Sequence, residues 1–152
     1  EMTEFVIDTF MTIKNRLTSP LVKPWLKRIK PELFNYVPMF MKLEREYHEK
    51  GINHVTRGAN TLIIIHAPKE SGMKIEDSNL AYQNASLMAE ALGVAQFYTG
   101  FVCVANENDS SKRRLNKLLG IEGNIYAGMA LGMPSFYFDR YIDKNPQKIN
   151  RI

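Results

Sequence analysis

Apolar residues return at helical intervals through the first fifty positions of the chain. Phe5, Val6, Phe10, Ile13 and Leu17 recur at three- and four-residue steps and form one stripe. Ser19-Pro20 stops that helix, because the residue before a proline avoids the helical region. Pro24 and Pro31 each stand where a short helix can open. Met39, Phe40, Leu43 and Tyr47 mark a further helix that ends near Gly51. The pattern changes after Asn60. Leu62-Ile63-Ile64-Ile65-His66-Ala67 is a branched apolar run closed by Pro68, as in a buried strand. A polar loop follows, and then a helix with Asp77 or Ser78 as N-cap. Its apolar face is Leu80, Ala81, Ala85, Met88, Ala91 and Leu92, and Gly93 closes it. Residues 94–104 are extended in character, with Gly100 in the middle, and 106–110 form a polar turn and helix start. Leu115, Leu118 and Leu119 give a short helix capped by Gly120. Residues 124–132 read as a buried strand and 136–138 as its continuation or a neighbour. Helices over 1–58 and strand–helix–strand–helix–strand over 59–152 predict an α+β or α/β layering, one sheet covered by helices.

Composition narrows this to one globular domain. The chain has 152 residues, 45% hydrophobic and 24% charged, which excludes a disordered chain. Lys and Arg number 20 against 16 acids, and the net charge of +4 is too mild to argue for nucleic acid. Lys23, Lys27, Arg28 and Lys30 read as a solvated helical face beside Trp25 and Ile29. The run Lys112-Arg113-Arg114 has no stacking motif beside it, so no nucleic-acid partner is expected. The single cysteine, Cys103, excludes an intrachain disulfide, a Cys-based zinc site and an iron–sulfur cluster within this chain. It fits a reducing compartment, and a cytoplasmic location is expected. The apolar stretches 87–105 and 123–138 are too interrupted for a spanning helix, so no membrane is expected. Glu1-Met2-Thr3-Glu4 has no basic n-region of a signal peptide. A first residue other than Met points to a chain that begins inside a longer protein.

Familiar catalytic signatures are missing: no Gly-x-Ser-x-Gly elbow, phosphate loop, His-Glu-x-x-His or dinucleotide fingerprint. His48, His54 and His66 have no second ligand at metal spacing, so no metal is expected. His66 reads as a hydrogen-bonded strand end, Cys103 as a buried inert thiol in an apolar strand, and Gly128 as a point of close strand packing. Two stretches stand apart. In residues 91–101 a helix ends at a glycine and Gly100 then lets backbone approach something closely; the plain alternative is an αβ turn with a bulge. Gly132-Met133-Pro134 is followed by Arg140 and Lys144-Asn145-Pro146, two cations able to hold a phosphate; the plain alternative is a solvated basic tail.

Taken in order, these pieces resemble the C-terminal half of the nitroreductase family of FMN-dependent oxidoreductases. They are the strand 62–67, the Glu76-Asp77 entry to an alanine-rich helix, Ala91-Leu92-Gly93, Gly100, the 115–119 helix with Gly120-Ile121, Leu131-Gly132-Met133-Pro134, Arg140 and Lys144-Asn145-Pro146. The likeness covers roughly residues 60–150 and is nearest to members with a ferredoxin-like segment before the flavin domain. It implies a single, partial domain over 1–152: an α+β sheet flanked by helices, incomplete at its N-terminal side. It implies FMN at a homodimer interface, hydride from NAD(P)H or electrons from a ferredoxin module, and nitroaromatic or quinone-like acceptors. The family's ring-contacting backbone falls on Phe97, Tyr98, Thr99 and Gly100, and its phosphate grip on Lys144 and Arg140. The family's Arg-Arg-Ser-type segment and its Pro-Ser-x-x-Asn-x-Gln-Pro stretch have no counterpart here. That departure implies an alternative: a truncated fragment that folds and dimerises without flavin or catalysis. The alanine face at 81, 85, 89 and 91 and the 5–17 stripe serve either a dimer or the chain's own core.

Overall fold

The computed structural model describes residues 1–109 and 113–136. The first part is helical: α1 (Met2–Thr18), α2 (Lys23–Ile29), a 3-10 turn (Pro31–Tyr36) and α3 (Val37–Lys50). Then come β1 (Thr61–Ala67), α4 (Lys74–Ala91), β2 (Ala95–Tyr98), α5 (Gly100–Asn108), α6 (Arg114–Leu119) and β3 (Asn124–Gly132). The sheet order is β1-β3-β2, and β3 is antiparallel to both neighbours. Ile64 pairs with Gly128, and Tyr98 with Met129. The strands at 61–67 and 124–132 and the short helix closed by Gly120 stand where the hydrophobic pattern puts them. The architecture is α+β.

Consecutive residues of a strand point to opposite faces. In β3, Ala127, Met129 and Ala130 are all fully buried, so both faces of the strand are covered. The two helices that pack on β3 are α4 and α5, one on each face. Behind α5 lies the main core. The α1 stripe does not wait for a second copy. Phe5, Val6 and Phe10 pack with Phe40 and Leu43 of α3, Val102 and Ala105 of α5, Leu115 and Ile125. Phe10 stacks on Phe40 at 4.6 Å and meets Phe101 edge-on at 5.7 Å. The far end of α5 is tied down by the buried Asp109. It accepts from the Arg114 backbone at 2.8 Å and from its Nε at 3.0 Å, and Arg114 also donates to Thr9 of α1 at 2.9 Å.

Several expectations fail. Residues 94–104 are not one extended piece: β2 stops at Tyr98 and α5 opens at Gly100. The run Phe101-Val102-Cys103-Val104 looks like a strand, but burial falls on Val102, Ala105, Asn106 and Asp109, a helical spacing hidden by two polar residues. Cys103 is therefore on a helix and only partly buried. Helix α4 opens at Lys74, leaving Glu76 and Asp77 in its first turn, where carboxylates suit the helix dipole. The expected apolar face of α4 is open: Leu80, Met88 and Leu92 are 60–70% exposed. Phe136 is not in a strand, and residues 137–138 lie outside the described residues.

Candidate functional site

The turn from β2 into α5 is built on a glycine of the neighbouring strand. Thr99 donates its backbone N–H to the Gly128 carbonyl at 3.0 Å. Its side chain is buried and rests on Gly128. A Cβ at that glycine would lie 2.7 Å from Thr99 Oγ1 and 3.0 Å from the Ile63 carbonyl oxygen. Thr99 Oγ1 has no hydrogen-bond partner among the described residues. It acts as a wedge, and an unpaired buried hydroxyl costs of order 1–3 kcal/mol. The Thr99 carbonyl accepts from Val102 and Cys103 at 3.0 and 3.3 Å, which starts α5. The amides of Gly100 and Phe101 keep the free first-turn positions, with no partner among the described residues. Ladder alternation turns the Tyr98 amide off β3 as well, toward the free edge of the sheet. Gln96 holds this edge to α4, donating to Ser86 Oγ at 2.7 Å and accepting from the Tyr82 hydroxyl at 3.1 Å.

All four residues of this ledge, Phe97, Tyr98, Thr99 and Gly100, line one cavity of about 370 Å³. Phe101 and Val104 of α5 close one wall, and His54, Val55 and Arg57 close the other. The loop that brings this second wall is organised by Asn53. Its Oδ1 accepts from the backbones of Val55 and Thr56 at 3.0 Å, and its Nδ2 donates to Thr56 Oγ1 at 2.8 Å and to Thr3 Oγ1 at 3.0 Å. Buried Val55 anchors the turn in the core. Arg57 is thereby held in the left-handed region at φ 51°, and its guanidinium lies 5.1 Å from the centre of the Phe97 ring. His54 Nε2 is 2.6 Å from Glu46 Oε2, and this contact holds the Glu46 carboxyl below the usual carboxylate range. No Asp or Glu among the described residues lines the cavity.

Tyr98 stands between this cavity and a second one of about 560 Å³, which it lines with Cys103, Asn106 and Tyr126. Its hydroxyl donates toward the Tyr126 carbonyl at 3.3 Å and toward Cys103 Sγ at 3.7 Å. Its ring meets Tyr82 edge-on at 5.0 Å. Burial, followed by the contact with Cys103, pushes the phenol up to about 12. Burial also pushes the Cys103 thiol up, so it stays protonated at neutral pH, as an inert thiol would. His66 accepts its strand-end role, with Nδ1 at 2.9 Å from the Glu122 carbonyl.

Strand β3 also brings together the two stretches that stood apart in the sequence. Gly132 and Met133 share a shallow depression with Phe97 and Arg57. Arg140 and Lys144 lie outside the described residues. Sequence reasoning missed Arg57. The only local signal is Arg57-Gly58 closing a turn that Asn53 opens, and such turns are common.

Among known protein families, the model described as the nitroreductase family matches residues 13–133. The match begins far ahead of residue 60, takes in the Asn53 loop and the whole ledge, and ends before Arg140 and Lys144. No curated protein and no solved structure matches the chain. No helix among the described residues is long and apolar enough to cross a membrane.

Proposed function

The chain belongs to the nitroreductase family, an oxidoreductase family, and from that premise we propose that it is an FMN-dependent reductase whose flavin ring lies along the 97–100 ledge. The observation that carries this reading is the unpartnered Gly100 amide beside aromatic walls. A planar ring with a hydrogen-bond-accepting edge fits that set: Phe97 and Phe101 offer apolar contact, and the amides of Gly100 and Phe101 offer donors. FMN, when bound, supplies hydride transfer. The chain's part is to hold and tune. Thr99 on Gly128 keeps the Gly100 amide from drifting, because the wedge has no room to move inward. No side chain is needed as an acid or base. Tyr98 stays protonated far above neutral pH, and His54 is engaged with Glu46.

The same reading gives the phosphate arm to Arg140 and Lys144, which come after Gly132-Met133 in the sequence. NAD(P)H or a ferredoxin module supplies electrons, and nitroaromatic or quinone-like compounds take them. One site serving both half-reactions gives ping-pong kinetics. The exposed row Leu80, Leu87 and Met88 on α4, with Leu92 at its C-cap, supports a homodimer.

The test is flavin binding. Purified protein should be yellow and should bleach with NADH in the absence of oxygen. Gly100 is the first helical position of α5, where proline is tolerated although it has no N–H. Gly100→Pro should keep the fold by circular dichroism and weaken FMN affinity about tenfold, one lost hydrogen bond. Lys144→Glu should weaken it too. Protein that takes up no FMN overturns the function, and unchanged affinity in Gly100→Pro overturns the ledge.

A further inference from the structure

We infer that Arg57 reads an anion on the electron acceptor: the site takes aromatic acceptors that carry a carboxylate. This rests on the flavin reading above. The guanidinium is built into position. Arginine seldom adopts a positive φ, and such a residue persists only where its surroundings determine it. Here they do. Arg57 donates its backbone N–H to the Asn53 carbonyl at 3.0 Å, in a turn that Asn53 also bonds through its side chain to α1. The loop spends this effort on presenting one cation over Phe97.

A cation held over an aromatic face uses none of its N–H donors in ordinary hydrogen bonds for that contact. No hydrogen bond or ion pair engages those donors among the described residues. Among the described residues the cavity wall supplies no carboxylate to neutralise them, and Glu46, behind that wall, is engaged by His54. Arg57 therefore offers an open fork that matches a carboxylate with two parallel bonds. Val104, which also lines the cavity and is exposed, offers apolar contact to the ring that carries the carboxylate. The side chain is exposed at the mouth of the cavity, where an exchanging ligand reaches it. A neutral acceptor of the same shape leaves the fork unused.

The experiment compares para-nitrobenzoate with para-nitrobenzamide, which differ in charge and hardly in size. Each is titrated against the full chain by calorimetry and used as acceptor in steady-state kinetics, while FMN affinity is measured separately. The variants are Arg57→Asn, neutral and tolerant of left-handed backbone, and Arg57→Lys, charged without the fork. Wild type should bind the benzoate about five- to tenfold more tightly than the amide. Arg57→Asn should erase that preference with FMN affinity unchanged, and Arg57→Lys should keep part of it. Equal binding of the two compounds by wild type, or a preference that survives in Arg57→Asn, overturns the proposal. So does a loss of FMN itself in Arg57→Asn, which assigns the cation to the cofactor, or a rise in KM confined to NADPH against NADH, which assigns it to the donor. A preference that depends on Arg57 in protein that never takes up FMN sustains the recognition and overturns the flavin reading instead.

Discussion

Helices α4 and α5 cover opposite faces of the same strand, and they do so in opposite ways. Helix α5 has 9 residues and sinks Val102 and Ala105 to zero exposure between α1 and β3. Helix α4 has 18 residues and buries only Ser78 and Ala89, leaving Leu80, Leu87, Met88 and the C-cap Leu92 to solvent. What holds α4 to the sheet edge includes polar ties from Tyr82 and Ser86 to Gln96. The shorter helix is the one that opens the ledge. A backbone amide can be placed to a fraction of an ångström only if the helix behind it cannot shift, and burial between two packed elements supplies that constraint. The longer helix is free of the constraint, and its apolar row is available to a second copy.

The sharpest way to break this contrast is Gly128→Ala. The added Cβ meets Thr99 Oγ1 at 2.7 Å and the Ile63 carbonyl at 3.0 Å. A threonine locked by its own backbone bond and a ladder carbonyl cannot both yield cheaply. We expect a loss of about 3 kcal/mol, at the upper end of overpacking costs, read from urea unfolding. A neutral outcome would show that the wedge is loose. A paired measurement then sharpens the contrast. Val102→Ala should cost about 2 kcal/mol, because the side chain is fully buried. Leu87→Ala, at 60% exposure, should stay within about 0.5 kcal/mol. Equal costs would erase the distinction between the helices.

The same contrast explains what could be read from the chain. Strand β3 was legible because its apolar run spans the whole element, and β1 because branched residues fill it to Pro68. Helix α5 was not, since its buried face runs through Asn106 to the C-cap Asp109, both of which hydrophobic periodicity counts as outward. Helix α4 misled in the reverse sense: its leucines look like core and are surface. The residues of the ledge were picked out by order and spacing, yet what the proposed flavin site asks of Gly100 is a free amide, which depends on where the helix starts. Arg57 was invisible. Its place depends on a left-handed backbone and on a tertiary approach to Phe97, forty residues further along.

The smallest effect belongs to Tyr98, the post between the two cavities. Its phenol is raised from the ordinary 10 to about 12, by burial first and by the Cys103 contact next. A raised folded value means that folding favours the protonated form. That contribution is fully present below about pH 10 and is lost as pH climbs through the folded value near 12. The residue is 41% exposed, so solvent screening keeps the stability at stake below about 1 kcal/mol. Phenolate absorbance is the better measure. Subtracting the titration of Tyr98→Phe from that of wild type should leave one tyrosine ionising well above pH 10, and stability should fall less steeply with alkali in the variant. A difference curve centred at the ordinary value would mean that water reaches the hydroxyl between Tyr126 and Cys103. The post would then stand in solvent, and the ledge above it would be no better held than the outer face of α4.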